Sequence, residues 1–144
     1  MFKKIAVAYN GSPEAARALG QAIHLAKALG AELGAITVVE DLPPYAAYAT
    51  AADPGLTPIL LEDRQEHCIR LHSQASEAAL KQGVELKNHL LEGETCESII
   101  HFLAETKSDL LVIGLHRHTS HISRLWSTVY ELARDAPCSV LGVH

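Results

Sequence analysis

Apolar residues fall along this chain in two alternating rhythms: short unbroken runs bounded by turn residues, and longer stretches in which they return every three or four positions. Ile5 to Tyr9 is the first run, and Asn10-Gly11-Ser12-Pro13 then supplies a turn, a helix cap at Ser12 and a proline at the first helical position. Ala15, Ala18, Leu19, Ala22, Ile23, Leu25, Ala26 and Leu29 recur at helical spacing up to Gly30, which predicts a helix closed there. Leu33 to Val39 predicts a second strand. Asp41 to Pro58 breaks the rhythm with four of the six prolines and with Tyr45 and Tyr48, and reads as an excursion over the surface.

A second helix is predicted from Ile59 to Gln82, closed by Gly83, with Leu60, Leu61, Ile69, Leu71, Ala75, Ala79 and Leu80 as inner positions. Val84 to Leu91 reads as the third strand, and Glu94 to Thr106 as a helix that turns Ile99, Ile100, Phe102 and Leu103 inward. Leu110 to Ile113 is a continuous apolar strand, Ser123 to Arg134 the last helix before Pro137, and Ser139 to Val143 a fifth strand. Strands alternating with helices imply βαβ units, so the expected fold is an α/β three-layer sandwich on a parallel sheet, a single domain over residues 1–144. Ligands of such sheets sit beyond the carboxyl ends of the strands where strand order switches, which predicts that Asn10, Val38 to Asp41 and Gly114 to Thr128 converge.

Composition narrows the function. A net charge of −5 with 48% hydrophobic and 20% charged residues fits a globular chain and disfavours a nucleic-acid partner, whose phosphates call for a basic face. No apolar run approaches the roughly 18 residues of a membrane span, and Ile5 to Tyr9 is too brief for a signal-peptide core, so a cytoplasmic protein without membrane insertion is expected. Cys68, Cys96 and Cys138 stand far apart, signalling neither a disulfide framework nor a thiolate zinc site.

Candidate chemistry concentrates in Asp109-Leu-Leu-Val-Ile-Gly114-Leu-His-Arg117 and in Ser127-Thr128-Val129, a strand, turn and helix start arranged as phosphate-binding loops are. Together with the opening Ile5-Ala-Val-Ala-Tyr-Asn-Gly-Ser12 and the closing Ala136-Pro-Cys-Ser-Val-Leu-Gly-Val143, this stretch resembles the universal stress protein family over the whole chain. The resemblance implies a five-stranded sheet in the order 3-2-1-4-5 and a homodimer in which the last strands of two subunits pair. An apolar final strand would otherwise leave an open edge.

ATP-binding members of that family carry Gly-x2-Gly-x9-Gly-Ser/Thr after the fourth strand. The matching positions here are Gly114, Arg117, Ser127 and Thr128, so the spacing is kept and two of three glycines are replaced. Arg117 has two opposed roles open to it: its side chain fills the phosphate pocket and excludes a triphosphate, or its guanidinium grips a phosphate bidentately. Ser127 and Thr128 keep hydroxyls near a helix start. Asn10 stands where nucleotide-binding relatives carry an aspartate near the sugar and metal, and brings no negative charge for Mg²⁺. Val38 matches the position whose backbone reads the adenine edge. The resemblance thus implies a nucleotide site built on Ala8, Asn10, Val38, Gly114, Arg117, Ser127, Thr128 and Val129, whose adenosine end is better kept than its triphosphate end. That favours AMP or adenosine over ATP.

Other candidates are weighed against plainer roles. His116, His118 and His121 lie close enough to converge on a metal, yet no cysteine or carboxylate stands at ligand spacing, and solvated histidines account for them. Cys68 and His72, with His67 adjacent, share a helical face that could hold a two-ligand metal contact or an activated thiol, but two ligands do not make a structural site, so Cys68 reads as a half-buried thiol and Cys138 as a small core residue. Ser12 and Ser123 are explained as caps, no Gly-x-Ser-x-Gly elbow exists, and catalysis is not expected. Tyr45 and Tyr48 either fold over the ligand or pack on the helices, and Trp126 is read as burying against the sheet. The expected function is a nucleotide-responsive regulatory module with a protein partner, in which occupancy orders residues 114–128 and 41–58. A ligand-free dimeric interaction protein and a slow Mg²⁺-dependent nucleotide hydrolase are the alternatives.

Overall fold

The computed structural model describes the backbone of residues 1–39, 51–115 and 122–144, and the side chains of the same residues apart from 56–61 and 122–127. In chain order the elements are β1 (Lys4–Ala8), α1 (Pro13–Leu29), β2 (Glu32–Val39), α2 (Leu56–Lys81), β3 (Leu86–Glu92), α3 (Thr95–Thr106), β4 (Leu110–Gly114), α4 (Ile122–Asp135) and β5 (Ser139–Val143). All four pairings are parallel, and the five-stranded sheet runs β3-β2-β1-β4-β5, as the resemblance implied.

Alternation along the central strands makes the three layers. Ile5 and Val7 of β1 and Leu110 and Val112 of β4 face one side, where Ala15, Ala18, Leu19, Ala22 and Ile23 of α1 and Leu71, Ala75 and Ala79 of α2 cover them. Ala6, Leu111 and Ile113 face the other, against Cys96, Ile99 and Leu103 of α3 and Leu132 of α4. Both faces are dry, as expected of a continuous apolar strand such as Leu110 to Ile113. Helix ends follow the local chemistry: the Ser12 hydroxyl accepts from Ala15 N at 3.1 Å, Pro13 opens α1, and Gly30 closes it at φ 64°. Asp109 ties β4 to β1, its carboxylate accepting from the amides of Lys3 at 2.8 Å and Lys4 at 3.0 Å.

Several boundaries and positions differ from the sequence reading. The second helix begins at Leu56, inside the stretch read as excursion, because proline is tolerated in a first turn whose amides have no helical acceptor. Ala51 and Ala52 also have helical backbone. Ile69 and Leu80, read as inner, are 63% and 76% exposed, because the face that meets the sheet is set by Cys68, Leu71, Ala75 and Ala79. The third strand starts at Leu86 and not at Val84, whose amide is still closing α2 on Ala79 O. Cys68 is buried and Cys138 half-buried against the second core. Tyr45, Tyr48, His116, Arg117, His118 and His121, and the side chains of Leu60, Leu61, Ser123, Trp126 and Ser127, lie outside the described residues.

Candidate functional site

Because β1 is central and short, its end leaves a gap between β2 and β4, and a cleft of about 760 Å³ opens there. Of the residues predicted for the site, Ala8, Asn10, Val38, Gly114, Thr128 and Val129 all line it. Arg117 and the Ser127 side chain fall outside the described residues.

The main chain of β2 gives the cleft a reading edge. Tyr9 N donates to Ile36 O at 2.9 Å, the last rung between β1 and β2, and Gly93 N donates to Val39 O at 3.2 Å on the β3 side. Successive residues of a strand direct their amide and carbonyl to opposite neighbours, so Val38 turns both toward the β1 side, past the point where β1 has ended. Thr37 closes the rung below, its hydroxyl donating to Tyr9 O at 3.0 Å. A donor and an acceptor therefore stand side by side at the cleft wall.

The turn after β1 is shaped by Asn10, whose Oδ1 accepts from Ser12 N at 3.0 Å. This leaves its amide –NH2 as the free-facing pole of the side chain, a donor where a carboxylate would be an acceptor. Gly11 within the turn has φ 80°, and a Cβ there would stand 2.6 Å from Leu71 Cδ2, so α2 lies directly on the turn. Gly114, the first glycine of the predicted phosphate loop, is required by the fold itself: its Cβ would meet the Glu14 carbonyl carbon and oxygen at 2.4 Å.

The charged lining was not foreseen. Glu14 comes from the first turn of α1, Asp63, Arg64 and His67 from α2, and Glu94 from the cap of α3. Glu94 caps that helix, accepting from Cys96 N at 3.0 Å and Glu97 N at 2.7 Å. Its place was signalled by an acidic residue just ahead of the helical periodicity, whereas the α2 residues carried no signal because the sequence alone did not fix which face of α2 meets the strand ends. Cys68 and His72, read as one face, differ in placement: Cys68 lines the cleft and His72 does not.

Thiols beneath the cleft are held protonated. Burial, then the carboxylates of Glu131 and Glu94, push the Cys96 thiol up to about 11, while its Sγ donates to Thr128 O at 3.8 Å. Burial likewise raises Cys68, against the opposing pull of Arg64. Neither is set up as a nucleophile. Among the described residues no group of three or more His, Cys, Asp or Glu side chains converges as a metal centre would require, and no helix is long and apolar enough to cross a membrane.

A sequence model of the universal stress protein family matches residues 1–144. A universal stress protein of Thermus aquaticus is 32% identical over 146 residues, covering 99% of each chain. One of Methanocaldococcus jannaschii is 31% identical over 144 residues, covering 99% of this chain and 82% of its own. Among solved structures, a universal stress protein in complex with cAMP aligns over 99% of this chain and 97% of its own, at 22% identity and a TM-score of 0.77. The Archaeoglobus fulgidus protein in complex with dAMP aligns over 99% and 98%, at 19% identity and a TM-score of 0.72. An Arabidopsis thaliana protein with AMP bound aligns over 98% and 90%, at 14% identity and a TM-score of 0.70.

Proposed function

The chain belongs to the universal stress protein family, and from that premise we propose that its cleft binds an adenine nucleotide with a short phosphate portion, AMP before ATP, and that it acts by binding and not by turnover. The observation that carries this reading is the edge of Val38. Adenine offers an amino donor beside a ring-nitrogen acceptor, which pairs with a backbone carbonyl beside an amide; guanine offers these in the reverse order. Relatives in complex with cAMP, dAMP and AMP support the ligand class.

Charge sets the length of the phosphate portion. Glu14, Asp63 and Glu94 line the cleft against Arg64 and His67, so each added phosphate enters an excess of carboxylate. Mg²⁺ would offset this in ATP, but the residue at the turn is Asn10, uncharged and with its oxygen engaged by Ser12 N. The site residues proposed are Ala8, Asn10, Val38, Gly114, Thr128 and Val129, together with Arg117 and Ser127.

Isothermal titration of the purified chain with AMP, GMP and ATP plus Mg²⁺ tests the reading. AMP is expected to bind at least tenfold more tightly than either of the others. Equal affinity for GMP would refute the role of Val38, and no heat with any of the three in folded, nucleotide-free protein would favour the ligand-free interaction protein.

The family premise also supports a homodimer through β5. That strand occupies the sheet edge, carries the 38% exposed Leu141, and follows α4, which presents the exposed Tyr130. Pairing two such edges removes an open template for aggregation.

A further inference from the structure

We propose that the groove between the outer faces of α1 and α2 is a docking surface for an acidic amphipathic helix of a partner protein. Both helices carry the chain back from one parallel strand to the next, so they run parallel to each other on the same face of the sheet. A groove of about 550 Å³ lies between them and shares no lining residue with the nucleotide cleft. Its floor is apolar: Ile23 is buried, Ala78 is half-buried, and Gly20 brings no side chain. On α1 the lining runs from Gly20 to Lys27, about two turns or roughly 10 Å, which suits a short helix laid along the groove.

Gly20 is the residue of this groove that the fold does not explain. It lies in the middle of α1, where only proline is less favoured, and a Cβ there would have no heavy atom within 4 Å. Neither a positive φ nor packing within the chain asks for glycine, whereas a helix lying across it can approach the α1 backbone closely. Charge then states what the occupant carries. Lys27 stands in the last turn of α1 and Lys81 in the last turn of α2, so the parallel helices bring both to one end of the groove, with His24 a turn earlier. Glu77, the carboxylate of the lining, is taken by Lys81 at 3.4 Å, which leaves Lys27 and His24 without an anionic partner among the described residues. At the other end Gln74 Oε1 accepts from the Tyr9 hydroxyl at 3.0 Å, so the remaining pole of Gln74 is its –NH2, a donor. Cations and donors thus rim an apolar floor in a chain whose net charge is −5. A helix with one small apolar face and acidic flanks complements this arrangement, whereas a second copy laid groove to groove would oppose lysine to lysine.

Fluorescence anisotropy on the full chain tests the docking with a labelled helical peptide of about 15 residues, alanine along one face and glutamate along the flanks, beside the same peptide with lysine for every glutamate. No nucleotide is added, so the outcome is independent of the cleft. The acidic peptide is expected to bind at micromolar concentration, at least about tenfold more tightly than the lysine form at low salt. Gly20→Leu, whose side chain would fill the groove, is expected to weaken binding about tenfold at any salt concentration, and Lys27→Glu about three- to tenfold with a shallower salt dependence. Lys87→Glu, on β3 and outside the groove, is the charge control and should stay within about twofold. Urea unfolding checks that each variant is folded. Unchanged affinity in Gly20→Leu, equal binding of the two peptides, or no binding of the acidic one overturns the proposal. Displacement of the peptide by micromolar citrate would give the lysines to a small anion, and a wild-type oligomer that Gly20→Leu dissociates in sedimentation velocity would give the groove to a second copy; either overturns it as well.

Discussion

Gly114 offers the sharpest test of how the strand ends are packed. Replacing it by alanine places a methyl 2.4 Å from the Glu14 carbonyl carbon and oxygen and 2.8 Å from Glu14 Cβ. Two of these three atoms are helix backbone, which cannot swing away as a side-chain tip would, so the first turn of α1 must move bodily. Overpacking of this kind costs about 1–3 kcal/mol, which lowers Tm by about 3–10 °C in a chain of this length. Gly20 is the internal control. It also lies in α1, a Cβ there has no heavy atom within 4 Å, and alanine is expected to stabilise by about 0.5–1 kcal/mol through helix propensity. Urea unfolding of Gly114→Ala and Gly20→Ala beside wild type should move the midpoints in opposite directions with unchanged slopes. A Gly114→Ala midpoint within about 0.5 kcal/mol of wild type would refute the close approach and, with it, the claim that this glycine serves the fold.

Burial holds the folded His72 below its ordinary range, and its Nε2 is buried without a hydrogen-bond partner among the described residues, so the unfolded chain takes the proton first as pH falls. Stability is whole above about pH 6.5 and declines below it; His72→Gln should flatten the fall in urea midpoint between about pH 7 and 5, and equal slopes would refute this. His89 shifts the same way through burial and then the nearby cations Lys4 and Lys87, and should supply the remaining slope. At the sheet edge, Leu141→Lys is expected to convert a β5-paired dimer to monomer in sedimentation velocity at micromolar concentration, and a wild-type monomer would refute the dimer directly.

Most of the fold was legible because its signals are local. Ser12-Pro13 and Gly30 fix α1 through hydroxyl capping, a preset φ and a left-handed stop, none of which depends on distant contacts. Leu110 to Ile113 announced a strand covered on both faces. The inner face of α2 was read in part: Leu71, Ala75 and Ala79 are buried as expected, whereas Ile69 and Leu80 have the hydrophobicity of inner residues and are exposed, the packed stripe running on through Cys68. Small residues there let the helix approach the sheet closely, and close approach outweighs the transfer of two larger side chains that water can still reach in part. The same ambiguity hid Arg64 and His67, since a rotation of α2 would carry both away from the cleft.

The glycine pattern of the predicted phosphate loop has to be read in that light. Gly114 matches the first glycine of the motif, but its missing Cβ is used by the carbonyl of Glu14, so its presence says that α1 packs tightly and says nothing of phosphate. Once that signal is removed, the ligand argument stands on positions where the backbone and the charges have no structural task left to perform. Val38 qualifies, because its amide and carbonyl face the side that β1 has vacated; Asn10 qualifies through its –NH2 alone, because its oxygen shapes the turn. Glu94 fails, being spent on the cap of α3, and its charge nevertheless remains in the cleft. On the proposed reading, adenine meets the Val38 edge, which makes no backbone hydrogen bond to β1 among the described residues, while the phosphate end is bounded by carboxylates of α1, α2 and the α3 cap. If that reading holds, a site so divided selects the ligand that presents the most purine and the least phosphate, which is what the comparison of AMP with ATP measures.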